Sequence, residues 1–556
     1  MSGNNGFHKT PVLIVGAGPA GLAAAIALKK ARPETDVCVI DKAAELGNHN
    51  LSGAVIEAQA VHRLLNMTGL NWREMPEADQ LLTHRIDHDQ ILFLSGRHLT
   101  LPITAFIRLA KALNLSLAQM SHQGDYIISV SKLTRWLGRI ARELGIEVYN
   151  GFAAVGIDWD AAKARATGVR LIALGLDREG HPQPNYLPEE TVEADVIILA
   201  EGCDGLLTEQ FVQLAGLQRA GVPLYSVGVK ELIRVSPDQY ARFGDHRVIH
   251  AMGYPLWTPL VGPSMFGGGI AYSFGDNSIA VGMIVGLDWR EKDFNPQDAL
   301  THFKNHPAIH KYIKDGKVIE AGAKMIPEGG DRAIPRDPAT GSIGKSNVLV
   351  VGDSAGFVNM LKIKGLHNAI DTGILAGQAA AQSLKTPDKT AQKYTEMVGE
   401  SPVFREMKLA RNFRHTISRF GNTLGLPLSV FSSKLPEYQI ERDSQTMTGK
   451  HYRYKGNKEF DKMTFIALAH THHREDQPCH LRIRDASLCA NRCRPEFGQP
   501  CVTFCPAGVY ECIQGHLSPV NASNCLHCKT CQRKCPLDNI HWTAPEGGGG
   551  PRYKAM

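Results

Sequence analysis

Apolar residues near the N-terminus follow the order of a strand, a tight glycine turn, a helix and a second strand. Val12 to Val15 form a short apolar run, and the Ala-rich stretch LAAAIALKKA that follows has high helix propensity. A second apolar run ends at Asp41. This order is typical of a dinucleotide-binding βαβ unit.

The turn carries three glycines, Gly16, Gly18 and Gly21, in the pattern G-x-G-x-x-G. The first permits the tight turn, the second lets a pyrophosphate approach the backbone, and the third lets the helix pack against the strand. Phosphate oxygens then lie against unpaired N–H groups at the positive end of the helix. Asp41 is expected to accept hydrogen bonds from ribose hydroxyls, the alternative being a solvated acid at a strand end. The segment predicts a Rossmann-like domain.

Periodic apolar residues predict further elements. Apolar residues recur at helical spacing between 133 and 144, which predicts a helix whose apolar stripe belongs to the core. The run ADVIILAEG predicts a strand beside the nucleotide domain. Between about 225 and 290, short apolar runs separated by glycines predict an antiparallel sheet.

The same order of strand, glycine turn and helix returns far downstream. Val348 to Val351 predict a strand followed by Gly352 and Asp353, and Asn368 to Leu384 predict a helix of small residues. Flavoproteins that open with G-x-G-x-x-G often carry such a later G-D, whose acid reaches the ribityl or pyrophosphate region. The pair favours FAD over NAD as the resident dinucleotide, although Asp353 would also serve as a helix cap.

Composition sets bounds on this picture. At 556 residues the chain exceeds one ordinary core, and its net charge of +6 gives no specific support for nucleic-acid binding. No apolar run is long enough to cross a bilayer, and the N-terminus lacks the features of a secretory signal. The sequence therefore predicts a protein in the cytoplasm or on a membrane that faces it.

The cysteines lie mostly in the tail. Ten of the twelve are at or beyond Cys479, which favours metal ligation over disulfides in a chain without an export signal. Cys525, Cys528, Cys531 and Cys535 have the spacing C-x2-C-x2-C-x3-C-P, which is the run of bacterial ferredoxins. Zinc is the rival because C-x2-C pairs also hold zinc, but this spacing favours iron–sulfur.

In two-cluster ferredoxins the fourth cysteine of each run binds the other cluster. By that rule Cys505, which precedes a proline, completes the set of Cys525, Cys528 and Cys531. Cys535 is then left as a remote ligand for a second triplet. Cys489, Cys493 and Cys501 are available for it, but their C-x3-C-x7-C spacing is irregular, so a second cluster and free thiols stay open as alternatives. Nearby His472, His473 and His480 are interpreted as surface or interdomain residues.

Seven stretches occur in the order known from one family. They are LGNHNLSGAVIE, DVIILAEGCDG, MFGGGIAYSF, GDSAGFVNMLKIKGLHNAIDTGILA, CPAGVYE, NCLHCKTC and APEGGGGPRYKAM. From about residue 10 to its end, the chain resembles the electron transfer flavoprotein-ubiquinone oxidoreductases. The resemblance implies an α/β plus α+β protein: a Rossmann-like FAD-binding domain of the glutathione-reductase or flavin-hydroxylase type, an antiparallel quinone-binding lobe and a C-terminal ferredoxin-like [4Fe–4S] domain.

The resemblance also implies boundaries and positions. The FAD-binding domain would comprise 1–100, 123–224 and 336–400, the ubiquinone-binding lobe 225–335, and the ferredoxin-like domain 451–556, with membrane-contact regions at 101–122 and 401–450. The implied cluster ligands are Cys505, Cys525, Cys528 and Cys531, the set that the spacing also gives. The implied quinone contacts are Gly267 and Gly268, which follow Phe266 where the family has an aromatic residue.

Such a protein would take electrons from reduced electron transfer flavoprotein and pass them through the cluster and FAD to ubiquinone, with no catalytic acid, base or nucleophile. It would be a monomer on the cytoplasmic face of a bacterial inner membrane, attached without a transmembrane helix. Residues 102–120, with apolar side chains on one helical face, and residues 416–431 are the predicted membrane contacts, although a core position is the alternative for each.

Two other functions remain open at this stage. One is a flavin-dependent oxidoreductase of the geranylgeranyl reductase type, which the cysteine-rich tail disfavours. The other is a non-catalytic electron-carrying adaptor, which the complete set of nucleotide-binding residues disfavours.

Overall fold

The computed structural model of the protein describes residues 9–53, 55–105, 119–162, 164–259, 262–454 and 461–556. Its strands are β1 (Lys9–Val15), β2 (Val37–Asp41), β3 (Val55–Ile56), β4 (His88–Ser95), β5 (Leu99–Pro102), β6 (Tyr126–Ile127), β7 (Glu147–Asn150), β8 (Ala154–Trp159), β9 (Ala166–Leu171), β10 (Leu174–Leu176), β11 (Pro182–Leu187), β12 (Glu190–Leu199), β13 (Tyr225–Arg234), β14 (Arg247–Gly253), β15 (Gly267–Gly275), β16 (Ser278–Gly286), β17 (Lys317–Pro327), β18 (Gly344–Lys345), β19 (Val348–Val350), β20 (Leu481–Ile483), β21 (Glu511–Ile513), β22 (His516–Ser518) and β23 (Ile540–Trp542).

The helices fall mainly between these strands. They are α1 (Pro19–Ala31), α2 (Ala58–Met67), α3 (Pro76–Leu81), α4 (Val130–Glu143), α5 (Leu206–Leu214), α6 (Pro237–Phe243), α7 (Pro296–Asn305), α8 (Pro307–Ile313), α9 (Gly352–Ala355), α10 (Leu366–Ser383), α11 (Thr390–Glu400), α12 (Pro402–Leu409), α13 (Phe413–Ser429), α14 (Lys462–Leu468), α15 (Ala486–Leu488), α16 (Arg494–Phe497), α17 (Pro500–Phe504) and α18 (Thr530–Lys534). Short 3₁₀ turns add Trp72–Glu74, Asp331–Ala333, Pro387–Lys389, Ser432–Lys434, Asp443–Thr446 and Ala522–Asn524, and Cys489–Cys493 form a π-helical turn.

The first sheet is a mostly parallel sheet with β1 in its middle. Its order is β18-β19-β12-β1-β2-β7, and β8 and β9 join it through β12. β1 pairs in parallel with β2 and β12, and β12 pairs in parallel with β19. The predicted βαβ unit and the strand beside it are confirmed. Because parallel strands end at the same edge, the glycine turn, Asp41 and Gly352 come together there.

Helices α1 and α10 lie against each other at short distance because both present small residues. A Cβ atom added at Gly373 would collide with the backbone oxygen of Ala20, and one at Gly377 would collide with that of Ala24. α1 is buried from Pro19 to Leu28. The predicted helix of small residues is confirmed as α10, and the helix predicted at 133–144 is confirmed as α4.

The second sheet has seven strands in the order β17-β13-β16-β15-β14-β4-β5. Its neighbours are antiparallel except β14 and β4, which run parallel. The antiparallel sheet predicted between 225 and 290 is therefore confirmed, and β4, β5 and β17 extend it. A Cβ at Gly269 would collide with the Phe303 ring of α7, so α7 packs on this face of the sheet.

The C-terminal region, residues 461–556, contains short helices and two small sheets, and its last residues return to the rest of the protein. Arg135 of α4 donates hydrogen bonds to the backbone oxygens of Tyr553 (2.6 Å) and Lys554 (2.8 Å). Glu320 of β17 accepts from the backbone N–H groups of Lys554 (2.5 Å) and Ala555 (3.0 Å). The end of the chain thus ties the cysteine-rich region to α4 and to β17 of the second sheet.

The two predicted membrane-contact segments differ in how much of them can be described. Most of 102–120 lies outside the described residues, since 106–118 are not among them. In 416–431, α13 is interrupted at Gly421 (φ 70°). Phe420 is exposed just before the interruption, and Leu424, Leu428 and Phe431 are exposed after it. Within the described ranges, no helix has both the length and the apolar composition to cross a bilayer.

Candidate functional site

A cavity of about 300 Å³ opens where the strand ends of the first sheet face the second sheet. Its walls include Gly16, Gly18, Asp41 and Asp353, so the structure brings together four of the residues that the sequence predicts for dinucleotide binding. Gly21 lies behind the wall, where a Cβ atom would collide with the backbone oxygen of Gly16. The glycines therefore shape the turn as the sequence pattern requires.

The first turn leaves room for an anion. Gly16 has a φ of +104°, and a Cβ atom on it would collide with the backbone oxygen of Ala200. Gly18 precedes α1, where a Cβ would come no closer than 3.8 Å to any neighbour, the nearest being Asn50. Among the described residues, no side chain caps this helix. Its N–H groups are therefore available to phosphate oxygens.

The two acids of the cavity have different surroundings. Asp41 accepts hydrogen bonds from the backbone N–H groups of Ala17 (2.7 Å) and Ala43 (2.8 Å), which fix its carboxylate at the end of β2. Gly352, at the end of the β19 strand, has a φ of +56° and begins α9. Burial raises the pKa of Asp353 to about 6, although the ammonium of Lys324 opposes the shift.

Five lysines also line the cavity, and the sequence patterns missed them: Lys42, Lys230, Lys324, Lys364 and Lys529. Burial lowers the pKa of Lys42 to about 7, with Lys529 and Lys324 adding repulsion. Burial also lowers the pKa of Lys230 to about 7. A sequence feature that could have indicated Lys230 is its position as a charged residue in β13, a strand that is buried from Tyr225 to Ile233. A cluster of ammonium groups around one cavity suits an anionic ligand.

Cys505, Cys525, Cys528 and Cys531 form one set in the C-terminal region, and all four are buried and free of disulfides. Burial, followed by the charge of Cys528, raises the pKa of Cys525 to about 12 and that of Cys505 to about 11. Backbone N–H groups of Ala507 and Val509 oppose the shift at Cys505. Buried thiols with such raised pKa values become thiolates near neutral pH only with a positive centre among them, which a metal centre supplies.

The spacing of the sulfurs bears on which metal centre fits. A single tetrahedral zinc holds its sulfurs about 3.8 Å apart, as follows from Zn–S bonds of about 2.3 Å. In the part of the chain that is described, the sets of three or more ligand atoms within 4.8 Å of one another contain histidines and carboxylates but no cysteine. A cubane, which places each thiolate on a different iron, fits the wider spacing.

The first cysteine set and the cavity share a wall. Lys529 lies between Cys528 and Cys531 in the chain and lines the cavity. Its ammonium lies 5.0 Å from the centre of the Trp542 ring and donates to the backbone oxygen of Asp204. Lys324, which also lines the cavity, feels the charge of Cys528. The cysteine ligands and the dinucleotide residues, remote in sequence, are thus neighbours.

Histidines fill the space beside the shared wall. The rings of His49, which lines the cavity, and His527, which lies between Cys525 and Cys528, have centroids 5.2 Å apart. His473 Nε2 lies 2.8 Å from His527 Nε2. Of the two predicted alternatives, the surface position fits the exposed His472, and the interdomain position fits His473 and His480, which are buried beside His527. Burial lowers the pKa of His473 to about 4 and that of His480 to about 3, so both are neutral near pH 7.

Gly267 and Gly268, the predicted quinone contacts, begin β15 and do not line the cavity. Gly268 pairs with Ile284 of β16, and both Ile284 and Ile270, which is two residues further along β15, line the cavity, so the glycine pair adjoins the wall. Side chains at either glycine would collide with neighbouring backbone. This close packing requires glycine at both positions.

The residue before the glycine pair packs against a buried arginine. The guanidinium of Arg414 in α13 lies 4.1 Å from the centre of the Phe266 ring. Arg414 donates to Asp288 (2.5 Å) and Glu328 (2.8 Å), and it is buried. The ion pairs therefore hold α13, the helix with the exposed apolar residues, against the start of β15.

The exposed apolar residues of α13 have neighbours of the same kind on the second sheet. Leu99 and Leu101 are exposed on the edge strand β5. Leu101 pairs with Phe93, whose ring lies 5.3 Å from that of Trp257. Trp257 in turn donates a hydrogen bond to Thr423 of α13 (3.2 Å). We call Leu99, Leu101, Phe420, Leu424, Leu428 and Phe431 the apolar patch.

Three family models match the chain. The model "FAD binding domain" matches residues 9–249, the model "ETF-QO, ubiquinone-binding" matches residues 225–326, and the model "Electron transfer flavoprotein-ubiquinone oxidoreductase, 4Fe-4S" matches residues 456–554. The FAD model covers the glycine turn and the strands of the first sheet other than β18 and β19, and the 4Fe-4S model covers both groups of tail cysteines.

Relatives of similar length match over nearly the whole chain. The electron transfer flavoprotein-ubiquinone oxidoreductase of Pseudomonas aeruginosa is 33% identical, with 99% of each chain covered. The mitochondrial electron transfer flavoprotein-ubiquinone oxidoreductase of Arabidopsis thaliana is 34% identical, with 98% of this chain and 84% of the relative covered.

Among solved structures, a geranylgeranyl bacteriochlorophyll reductase-like protein of Thermoplasma acidophilum has a similar fold. Its TM-score is 0.54 at 18% identity, with 78% of this chain and 94% of that chain covered. At this identity the likeness concerns the fold alone.

Proposed function

The chain belongs to the electron transfer flavoprotein-ubiquinone oxidoreductase family, and on this premise we propose that it takes electrons from reduced electron transfer flavoprotein and delivers them to ubiquinone, giving ubiquinol. It is an oxidoreductase of the electron-transferring-flavoprotein dehydrogenase type, with FAD and a [4Fe–4S] cluster as its redox groups.

The wall shared by the first cysteine set and the cavity carries the proposal. Lys529 is part of the cysteine loop and of the cavity lining at once. A flavoenzyme that acts only on an organic substrate does not require a set of metal-binding cysteines beside its flavin cavity. An adaptor without flavin would not need the cavity.

The dinucleotide residues fit FAD. Gly16, Gly18 and the free N–H groups of α1 would hold the pyrophosphate, Asp41 the adenosine ribose, and Gly352 with Asp353 the ribityl side. The lysines of the cavity would balance the negative charge of the bound dinucleotide. When bound, FAD would supply a carrier that exchanges electrons one at a time with an iron–sulfur cluster and that holds the pair of electrons a quinone needs.

The thiol set fits a [4Fe–4S] cluster, with Cys505, Cys525, Cys528 and Cys531 as the ligands. The backbone N–H groups aimed at Cys505 and Cys525 would stabilise the negative charge of the bound cluster. The apolar residues around the set keep water out, which also bears on its reduction potential.

Ubiquinone would enter beside Gly267 and Gly268 from the side of α13. The apolar patch supports this direction, because a quinone with a long isoprenoid tail reaches the protein through lipid. We propose that the protein lies on one face of the membrane, in a bacterium the cytoplasmic face of the inner membrane, as a monomer. The patch also supports membrane contact for 416–431.

One experiment separates the three candidate functions. The purified protein is assayed for FAD and iron, and then for reduction of a soluble ubiquinone analogue by reduced electron transfer flavoprotein or by NADPH. Quinol formation that requires electron transfer flavoprotein supports the proposal. Turnover with NADPH alone would favour an organic-substrate reductase, and bound cofactors without quinol formation would favour an adaptor.

A further inference from the structure

A second set of four cysteines lies in the C-terminal region, separate from the first. Its members are Cys489, Cys493, Cys501 and Cys535, all of them buried and none in a disulfide. Asn539 joins two of them directly: its side-chain N–H donates to Cys489 Sγ (3.1 Å) and its backbone N–H donates to Cys535 Sγ (3.3 Å). Cys493 lies in the same helical turn as Cys489, and Gln499, two residues before Cys501, donates a hydrogen bond to the backbone oxygen of Cys489 (3.4 Å), so all four cysteines lie close together.

The two sets are built by a repeated turn. Cys501 is the second residue of α17 and Cys531 the second residue of α18, and each helix follows a residue in the left-handed region (φ 54° at Gln499 and 57° at Lys529). Each helix ends at another cysteine that precedes a proline.

The repeat exchanges cysteines between the sets. The backbone N–H of Cys505 donates to the backbone oxygen of Cys501 (3.2 Å), and that of Cys535 donates to the backbone oxygen of Cys531 (3.1 Å). Cys501 belongs to the second set and Cys505 to the first, whereas Cys531 belongs to the first set and Cys535 to the second. Two-cluster ferredoxins use the same exchange. A chain that held one cluster would need only half of this arrangement.

The irregular spacing of the second triplet has a local explanation. Cys489–Cys493 form a π-helical turn, in which the backbone N–H of Arg494 donates to the backbone oxygen of Cys489. A π turn absorbs one additional residue without breaking the helix, and such turns are frequent at functional sites. C-x3-C in this turn therefore replaces the usual C-x2-C, and both cysteines remain buried.

We propose that Cys489, Cys493, Cys501 and Cys535 bind a second [4Fe–4S] cluster. Four buried thiols with N–H donors match the chemistry of such a site, and the sulfur spacing that disfavours zinc in the first set applies here too. Free thiols are the remaining alternative, but four unligated cysteines would require neither the repeated turn nor the π-helical turn.

The second site lies on the side of the first that faces away from the cavity. Lys529, which lines the cavity, lies between Cys528 and Cys531 of the first set. The side chains beside the second set are Asp485, Gln499 and Asn539, which are not part of the lining. Arg492 and Arg494 are exposed directly above it. The second cluster would extend the row of redox groups from the cavity to the protein surface.

The test counts metal in the complete protein. After anaerobic purification and reconstitution with iron and sulfide, the wild type is expected to hold about eight irons and eight acid-labile sulfides per FAD. Cys489→Ser and Cys493→Ser are each expected to hold about four irons with unchanged FAD. Cys512→Ser, at an exposed cysteine outside both sets, is the matched control and should keep about eight.

A spectroscopic measurement supports the count. Electron paramagnetic resonance of the reduced wild type should show two interacting centres, and that of Cys489→Ser a single one. About four irons per FAD in the wild type, unchanged in both variants, would overturn the proposal, as would about one zinc per chain that the variants lose. The wild-type count decides the matter even if a variant does not fold. It requires neither electron transfer flavoprotein nor quinone, so its failure is distinct from failure of the proposed function.

Discussion

The apolar patch allows the membrane proposal to be tested with a predicted magnitude. Leu424 is 64% exposed and Phe431 is 56% exposed. Complete burial of such a side chain stabilises by about 1.5–3 kcal/mol, so burying these exposed fractions in lipid contributes about 1–2 kcal/mol for each residue. Replacing both with Asn removes about 2–4 kcal/mol, which weakens vesicle binding at least about 30-fold.

The assay is cosedimentation of the purified protein with lipid vesicles over a range of lipid concentrations and at two salt concentrations. Because the lost contribution is apolar, the ratio between wild type and the Leu424→Asn/Phe431→Asn variant should not change with salt. Leu214→Asn is the matched control, since Leu214 is 71% exposed at the end of α5, which packs against β8. Equal binding by the double variant and wild type, or an equal loss in Leu214→Asn, would refute the reasoning.

Three further predictions concern the fold around the cavity. Arg414→Met leaves two buried carboxylates without their cation and should lower the free energy of unfolding by about 3–5 kcal/mol in urea titrations. The control Arg63→Met removes an exposed ion pair and should lower it by less than about 1 kcal/mol. Equal losses in the two variants would contradict the burial argument. Gly373→Ala should separate α10 from α1, lower the free energy of unfolding by about 1–3 kcal/mol and weaken FAD retention. The control Gly399→Ala, at an open position of α11, should raise the free energy of unfolding by up to about 1 kcal/mol. A change of the same sign in both variants would count against the close contact of the two helices. The pKa of Asp353 is raised to about 6, so the stability that its neutral form contributes is present below its ordinary pKa and is lost as pH rises through about 6. Without cofactor, the Asp353→Asn variant should therefore have a free energy of unfolding up to about 3 kcal/mol above that of wild type at about pH 8 and equal to it near about pH 3.5. A difference independent of pH would rule this out.

The parts of the site that the sequence predicted are those that local spacing determines. Gly16, Gly18 and Gly21 act within one turn, and Asp41 ends the next strand, so their roles follow from a single βαβ unit. The grouping of Cys505 with the later triplet also followed from spacing, because the exchange of the fourth cysteine is built into a short repeated turn.

The parts that were missed depend on contacts between distant segments. Lys230 and Lys324 reach the cavity from the second sheet, and only the register of its strands decides that both point inward. The contact of His49 with His527 depends on how the C-terminal region packs on the first sheet. The π-helical turn at Cys489 could not be distinguished from an irregular spacing until the backbone was seen.

Electron transfer from electron transfer flavoprotein to ubiquinone is tested most directly by one anaerobic cycle of reduction and reoxidation of the purified protein. The flavin absorbance is recorded throughout the cycle. Reduced electron transfer flavoprotein should bleach the flavin band, and a ubiquinone analogue added afterwards should restore it with formation of one quinol per flavin. A flavin that stays oxidised with reduced electron transfer flavoprotein, or that is bleached but not restored by the quinone, would contradict the account.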